Sequence, residues 1–214
     1  MKVFNLIFLG PQGSGKGTQV RLLAEEINLV VIDLGAVLRE IAKEDTELGR
    51  KVEETIHGRG ELVEPELAAE VMKQKLLKIS PEQGVVIDGF PRTLLQYQLM
   101  KKFWPQTGRL DDYQVVFIDL SEEEAIQRLS TRLTCELCGA VYVAGTAESC
   151  ENCGGNLIHR ADDRPEAIHQ RLEIYNAETL PMIKELEQEG RVVRIDGAPA
   201  VDEVHREILK KLNL

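Results

Sequence analysis

The chain has 214 residues, 43% of them hydrophobic, and a formal net charge of −10. That length suits one domain carrying inserts around a substantial core, while the acidic balance and lack of a long basic run argue against general electrostatic binding to nucleic acid. No apolar run approaches the ~20 residues of a membrane span, and the N-terminal one is too short for a signal sequence, so the chain reads as cytoplasmic and not membrane-bound.

Val3–Leu9 has the continuous apolar character of a buried parallel strand. It runs into Gly10-Pro11-Gln12-Gly13-Ser14-Gly15-Lys16-Gly17-Thr18, and an amphipathic helix, Gly17–Ile27, follows. Strand, glycine-rich loop and helix are the context of a phosphate-binding loop. Gly13, Ser14, Gly15, Lys16, Gly17 and Thr18 then surround a hollow of backbone N–H groups at a positive helix end, and Lys16 adds a point charge for the β and γ phosphates. The general pattern places Ser or Thr directly after the lysine; here Gly17 intervenes before Thr18.

Leu29–Ile32 is a second short apolar run. Helices are predicted over Gly35–Glu44 and Thr46–Ile56, the latter with Thr46 as N-cap and a break at His57-Gly58-Arg59-Gly60. Pro65–Ile79 reads as helix, residues 80–84 as a turn, Val85–Asp88 as a buried strand, and Thr93–Phe103 as helix. Gln114–Leu120 is a strand, and Ser121 with Glu124 forms a capping box before a helix over Glu122–Leu133. Thr134–His159 is an insert of different composition. A long helix over Glu166–Glu189, a strand Arg191–Ile195, a loop Asp196–Pro199 and a helix Val201–Leu212 complete the chain. The alternation predicts an α/β fold, a P-loop NTPase-type parallel sheet flanked by helices.

Two constellations carry further chemistry. Asp88 ends a strand where a carboxylate reaches a magnesium ion bound with a nucleotide, and Arg92 follows behind the rigid Phe90-Pro91. Cys135-x-x-Cys138 and Cys150-x-x-Cys153 form two knuckles, each followed by glycine. Four thiolates favour tetrahedral zinc with no open position, a structural site for an insert too small to build its own core; iron and metal-free cysteines are the alternatives.

The run Asp88-Gly89-Phe90-Pro91-Arg92-Thr93 followed by Gln96 closely resembles the adenylate kinase family. So do Gly15-Lys16-Gly17-Thr18, Leu34-Gly35-Ala36-Val37-Leu38-Arg39, Gly60-Glu61-Leu62-Val63, and Arg160 with Asp162-Asp163, in family order along the whole chain. The long-lid, zinc-containing branch fits best. The resemblance implies reversible phosphoryl transfer from Mg-ATP to AMP, giving two ADP. It implies that Lys16, Arg92, Arg132, Arg160 and Arg171 serve the reaction. Arg128, Arg132, Gly197 and Ala198 would join the glycine loop in holding ATP. Leu34, Gly35, Arg39, Glu61, Leu62, Val63, Gly89, Arg92, Gln96, Arg160 and Arg171 would hold AMP. Asp88 would stand in the magnesium shell. Residues 33–63 would form the acceptor-binding insert and residues 134–160 the zinc lid, on a core of residues 1–32, 64–133 and 161–214, most simply as a monomer.

The arginine set has a physical rationale of its own. An acceptor phosphate is already an oxyanion at neutral pH, so it needs no general base; it needs positive charge against the repulsion of two phosphate chains. The sequence departs from the family chiefly on the acceptor side. Leu34 stands where a hydroxyl is usual and Ala36 where an acid is usual, so Leu34 is expected to bring an apolar surface to that site. In the lid the usual double arginine becomes Arg132-Leu133. The rival readings are a kinase for CMP, UMP or GMP, and a P-loop module whose knuckle contacts RNA or protein. The second is poorly served, since Tyr142 is the one aromatic between Cys135 and Cys153, with no Lys or Arg there.

Overall fold

The computed structural model describes residues 4–59, 62–109 and 113–214. At its centre is a five-stranded parallel sheet. Its strands are β1 (Asn5–Leu9), β2 (Val30–Asp33), β3 (Val85–Asp88), β4 (Gln114–Asp119) and, completing it at one edge, the C-terminal strand Val192–Asp196, in the order β2-β3-β1-β4 and then that strand. The chain leaves β1 toward one edge and β4 toward the other. The crevice beyond their C-terminal ends is therefore the place where a ligand settles in an open α/β sheet.

Both faces of the sheet are covered, which is why its strands read as continuous apolar runs. Ile7 and Leu9 point into one cluster with Leu38, Met72, Tyr97 and Ile183, while Leu6 and Phe8 point into another with Val20, Leu23, Val204 and Ile208. The first face is covered by α2 (Leu34–Ala42), α3 (Glu47–Glu53), α4 (Pro65–Leu77) and α5 (Leu94–Phe103). The turn at residues 80–84 closes as expected, with Gln83 N–H on the Ser80 carbonyl at 2.9 Å. Buried Arg109 ties it to β1 by donating to Asn5 Oδ1 and to the Gln83 and Ser80 carbonyls.

Several elements differ from the sequence-based reading. The helix after β4, α6 (Glu122–Ser130), stops before Leu133; Arg132 and Leu133 instead open β5 (Arg132–Cys135). Ser121 caps it, accepting from Glu124 N–H at 3.2 Å, but Glu124 Oε1 is bonded to Arg128 at 2.6 Å rather than turned back to the cap. Strand β5 lies between β6 (Val141–Val143) and β7 (Leu157–Ile158), antiparallel to both, so the insert's own three-stranded sheet begins at Arg132.

The long helix expected over Glu166–Glu189 is α7 (Pro165–Ile174) and α8 (Leu180–Gln188), joined by a π turn at Tyr175–Thr179. Pro181 has no N–H to give the preceding turn and its ring crowds the carbonyl there, so the helix widens just before it. A second π turn, Glu54–Arg59, continues α3 past the expected break at His57, with Gly60 outside the described residues. The edge strand noted above is β8 (Val192–Asp196), and α9 (Val201–Leu212) packs beside α1 (Lys16–Ile27). Among the described residues no helix is long and apolar enough to cross a membrane.

Candidate active site

The glycine loop lies at the end of β1, where Gly10 adjoins Ile118 of β4 and Gly13 adjoins Ala125 and Leu129 of α6. Gly10 has φ 146°, and a Cβ there would run into the Ile118 carbonyl, so only glycine lets the loop pass this close to β4. Lys16 folds back over its own loop. Its Nζ donates to the Gly10 carbonyl at 2.8 Å, to the Pro11 carbonyl at 2.7 Å and to Ser14 Oγ at 3.4 Å. Burial pushes the Lys16 ammonium down to about 8; Asp88 opposes this, while Arg92, Arg171 and Arg132 add to it. Gly13 and Gly15 take positive φ within the turn, and Thr18 follows on the first turn of α1.

Asp88 faces this loop. Its Oδ2 lies 3.6 Å from where a Gly17 Cβ would stand, at the positive end of α1. Burial raises its carboxyl, Lys16 holds it down, and Asp33, its register partner across β2 and β3, raises it again. The donor set fits a magnesium ion: a carboxylate oxygen beside the phosphate loop, with the Thr18 hydroxyl on the same helix.

Five arginines converge on the same cleft, Arg39 from α2, Arg132 from β5, Arg171 from α7, and Arg92 and Arg160 from loops. Arg92 Nε donates to the Gly89 carbonyl at 2.9 Å, which keeps its guanidinium against the end of β3. Leu62, Gly89, Arg92, Gln12 and Lys16 line one cavity there with Tyr175. Arg132, from β5, forks onto Asp163 at 2.7 and 2.5 Å, and Arg160 forks onto Asp162 at 2.8 and 2.7 Å. Arg171, from α7, reaches the Asp162 carbonyl at 2.8 Å and the carboxylates of Asp162 and Asp163 at 3.1 and 3.3 Å. Burial pushes Arg171 down to about 10; Asp162 resists, and Arg160, Arg132 and Arg92 press it further. Burial alone would raise Asp162, but the Arg160 fork holds it well below the usual carboxylate range. Arg39, from α2, is lowered by burial and then by Arg160, and it stands 3.8 Å from Asp33 Oδ2.

The expected base-side residues divide into two groups. Arg128 Nη2 donates to the Ala198 carbonyl at 3.0 Å, so the arginine and the loop after β8 form one wall; Gly197 N–H closes that loop onto the Asp119 carbonyl at 2.7 Å. On the other side, Gln96 is buried, and its Oε1 accepts from Arg92 N–H at 2.7 Å. One of the two lone pairs of its carbonyl is thus used within the protein. Leu34 is 4% exposed and packs in the core cluster with Ile32 and Leu38. The apolar surface expected from it on the acceptor side is thus turned into the core. Val63 is buried beside it in the same cluster, Gly35 adjoins Arg39, and Glu61 lies outside the described residues.

The model of the adenylate kinase family matches residues 8–191. The chain is 36% identical over 210 residues to the adenylate kinase of Thermosipho africanus, covering 96% of this chain and 97% of the relative. It is 37% identical over 209 residues to that of Archaeoglobus fulgidus, covering 95% of each. Over 217 residues it is 37% identical to that of Methanothrix thermoacetophila, covering 98% of each. The chain belongs to the adenylate kinase family.

Within that family setting, the insert between α6 and α7 presents its cysteines as a cluster. The Sγ atoms of Cys135, Cys138, Cys150 and Cys153 all lie within 4.8 Å of one another, and no disulfide links them. Tetrahedral Zn–S bonds of ~2.3 Å place sulfurs ~3.8 Å apart, and the Cys135–Cys153 and Cys138–Cys150 pairs stand at 3.5 Å. The two knuckles have the same backbone pattern. Cys135 N–H meets the Ala140 carbonyl and Gly139 N–H the Cys135 carbonyl; Cys150 pairs likewise with Gly155 and Gly154. The cluster is compatible with a structural zinc.

Sequence reasoning missed the counter-charges of this adenylate kinase cleft. Asp162 and Asp163 were noted beside Arg160 but not as the partners of Arg132 and Arg171, and Asp33 was not weighed. It also missed Tyr142 as a support of the cysteines, where its hydroxyl donates to Cys150 Sγ at 3.5 Å and accepts Glu151 N–H at 2.9 Å. With neighbouring backbone N–H groups, that hydroxyl draws the Cys150 thiol down to about 6. An adjacent Asp-Asp after an arginine, and one tyrosine between cysteine knuckles, were the available signals.

Proposed function

We propose that the chain catalyses reversible phosphoryl transfer from Mg-ATP to AMP, giving two ADP. The observation that carries this is the convergence of Lys16, Arg39, Arg92, Arg132, Arg160 and Arg171 on one cleft at the sheet's switch point. An AMP phosphate is already ionised, so such a cleft needs cations and water exclusion rather than a base.

Lys16 and the N–H groups of residues 13–18 hold the ATP phosphates, and Arg128 with Gly197 and Ala198 holds its adenine. Arg39, Arg92 and Arg171 grip the acceptor phosphate, while Gly35, Leu62, Val63, Gly89 and Gln96 enclose the acceptor nucleoside. Arg132 and Arg160 leave Asp163 and Asp162 to fork onto the transferring phosphoryl group as the lid closes. Asp88 and Thr18 are suited to hold magnesium, which when bound offsets phosphate charge. The acceptor insert spans residues 33–63 and the lid residues 134–160, with the lid sheet starting slightly earlier, at Arg132. Zinc is favoured over iron at the four cysteines, as a closed structural site. The chain works as a monomer in the cytoplasm on ATP, AMP and ADP, without nucleic acid or membrane.

The test is a transfer assay with Mg-ATP against AMP, CMP, UMP, GMP and dAMP. AMP well ahead supports the reading; preference for another base keeps the mechanism and changes the acceptor; no transfer to any acceptor overturns it. Metal analysis of the purified chain separates zinc from iron.

A further inference from the structure

Asp33 closes β2 directly beside Asp88, its register partner on β3. Its Oδ1 accepts the Ala36 N–H at 2.9 Å and so caps α2. Its Oδ2 stands 3.8 Å from Arg39 Nη2. Gly35 makes this meeting possible: a Cβ there would lie 3.1 Å from Asp33 Oδ1 and 3.0 Å from Arg39 Nη1. Carboxylate and guanidinium therefore approach each other over the bare face of the glycine. The separation is one of Coulombic attraction, longer than a hydrogen bond, so Arg39 is attracted but not locked.

We propose that Asp33 sets acceptor affinity in this chain by acting as a resident carboxylate that competes with the acceptor's phosphate for Arg39. The proposal rests on the reading of Arg39 as a ligand of that phosphate. A phosphate arriving at Arg39 shares the guanidinium with Asp33 and meets a negative charge already placed at the N-terminus of α2, where the helix dipole would otherwise favour an anion. The charge of Asp33 also reaches Arg160 on the lid side and Asp88 below. Arg39 and Asp33 side chains are 37% and 41% exposed, so solvent screens the pair and the effect is moderate. On the ATP side Lys16 is held by carbonyls and a hydroxyl, with Asp88 as its nearest counter-charge, so a change at Asp33 is expected to be felt mainly on the acceptor side. The result is an acceptor site held weaker than its cations alone would make it, which speeds release of the product formed there.

Asp33→Asn separates charge from capping, because asparagine keeps an oxygen for Ala36 N–H and is as good an N-cap as aspartate. Steady-state kinetics of the full chain at low ionic strength give the readout. Asp33→Asn is expected to lower the AMP KM about three- to tenfold, leave the ATP KM within about twofold and leave the Tm unchanged. Asp33→Ser, which also caps, should behave the same way and serves if the asparagine variant is unstable. In an Arg39→Ala background the fall should vanish. An AMP KM unchanged or raised in a folded Asp33 variant overturns the proposal, as does a fall that persists undiminished without Arg39. If Arg39→Ala alone leaves the AMP KM unmoved, the role given to Arg39 fails, and this proposal with it.

Discussion

Asp163 receives the Arg132 guanidinium through two parallel hydrogen bonds while its own side chain is only 1% exposed. It also faces Arg171 at 3.3 Å, so one nearly buried carboxylate offsets a cation from the lid and another from α7. Replacing it by Asn leaves both guanidiniums without that charge. A buried pair broken on one side costs about 3 kcal/mol, which corresponds to a fall of roughly 10 °C in Tm for a chain of this size. Thermal unfolding of Asp163→Asn checks this, and a shift below ~2 °C would show that solvent already screens the pair.

Lys16 carries the clearest catalytic expectation. Lys16→Met removes the point charge from the phosphate loop but keeps most of the side chain's bulk. A drop of about a thousandfold in kcat/KM is expected, with a Tm within a few degrees of the parent. Near-normal turnover in the folded variant would remove Lys16 from the mechanism.

The same lysine gives a pH signature. With its value in the free protein near 8, kcat/KM for ATP should decline as pH rises through about 8, because the neutral amine no longer attracts phosphate. Bound polyphosphate favours the ammonium, so the limb in kcat lies higher. Stability moves the opposite way. The unfolded chain binds its lysine proton up to the ordinary value of 10.5, so between about 8 and 10.5 it holds more protons than the native state, and the native state gains as pH rises. A kcat/KM profile flat to pH 10 would contradict this placement of Lys16.

Cys138→Ser removes one ligand from the knuckle cluster. The insert's own core is small, built around Cys135, Ala140 and Cys150 with Tyr142 and Leu157 against it. On the proposed zinc reading its order would therefore depend on the metal. The variant should lose zinc to a chelator far faster than the parent and show a lowered, broadened first unfolding transition, with the sheet melting later. Equal zinc retention by both proteins would count against a four-sulfur site.

The parallel strands were legible because burial on both faces leaves a continuous apolar run, as in Val85–Ile87. The phosphate loop and the cysteine knuckles were legible because their backbone turns demand glycine at fixed spacing. The end of α6 was not, since Arg132-Leu133 continues the amphipathic pattern of the helix, and only pairing with Val143 and Tyr142 draws it into a strand. The π turn before Pro181 was hidden because proline there is compatible with either a break or a widened helix. Leu34 misled because the residue type was legible but its direction was not: the start of α2 aims it at the core. Ion-pair partners such as Asp163 lie far from Arg132 along the chain, and no local pattern links them.

Lys16, bonded to the carbonyls of Gly10 and Pro11, also bears on how the loop meets the small anions of a cell. Free phosphate, sulfate and small organic acids are abundant there, and each brings only a few oxygens. To displace the lysine, such an ion must offset two good hydrogen bonds with little else to gain. A nucleotide held as proposed, with several phosphates and its base at the Arg128 and Ala198 wall, would bring more contacts to that exchange. On the proposed reading the self-bonded lysine would favour a ligand of several phosphates over a single small anion.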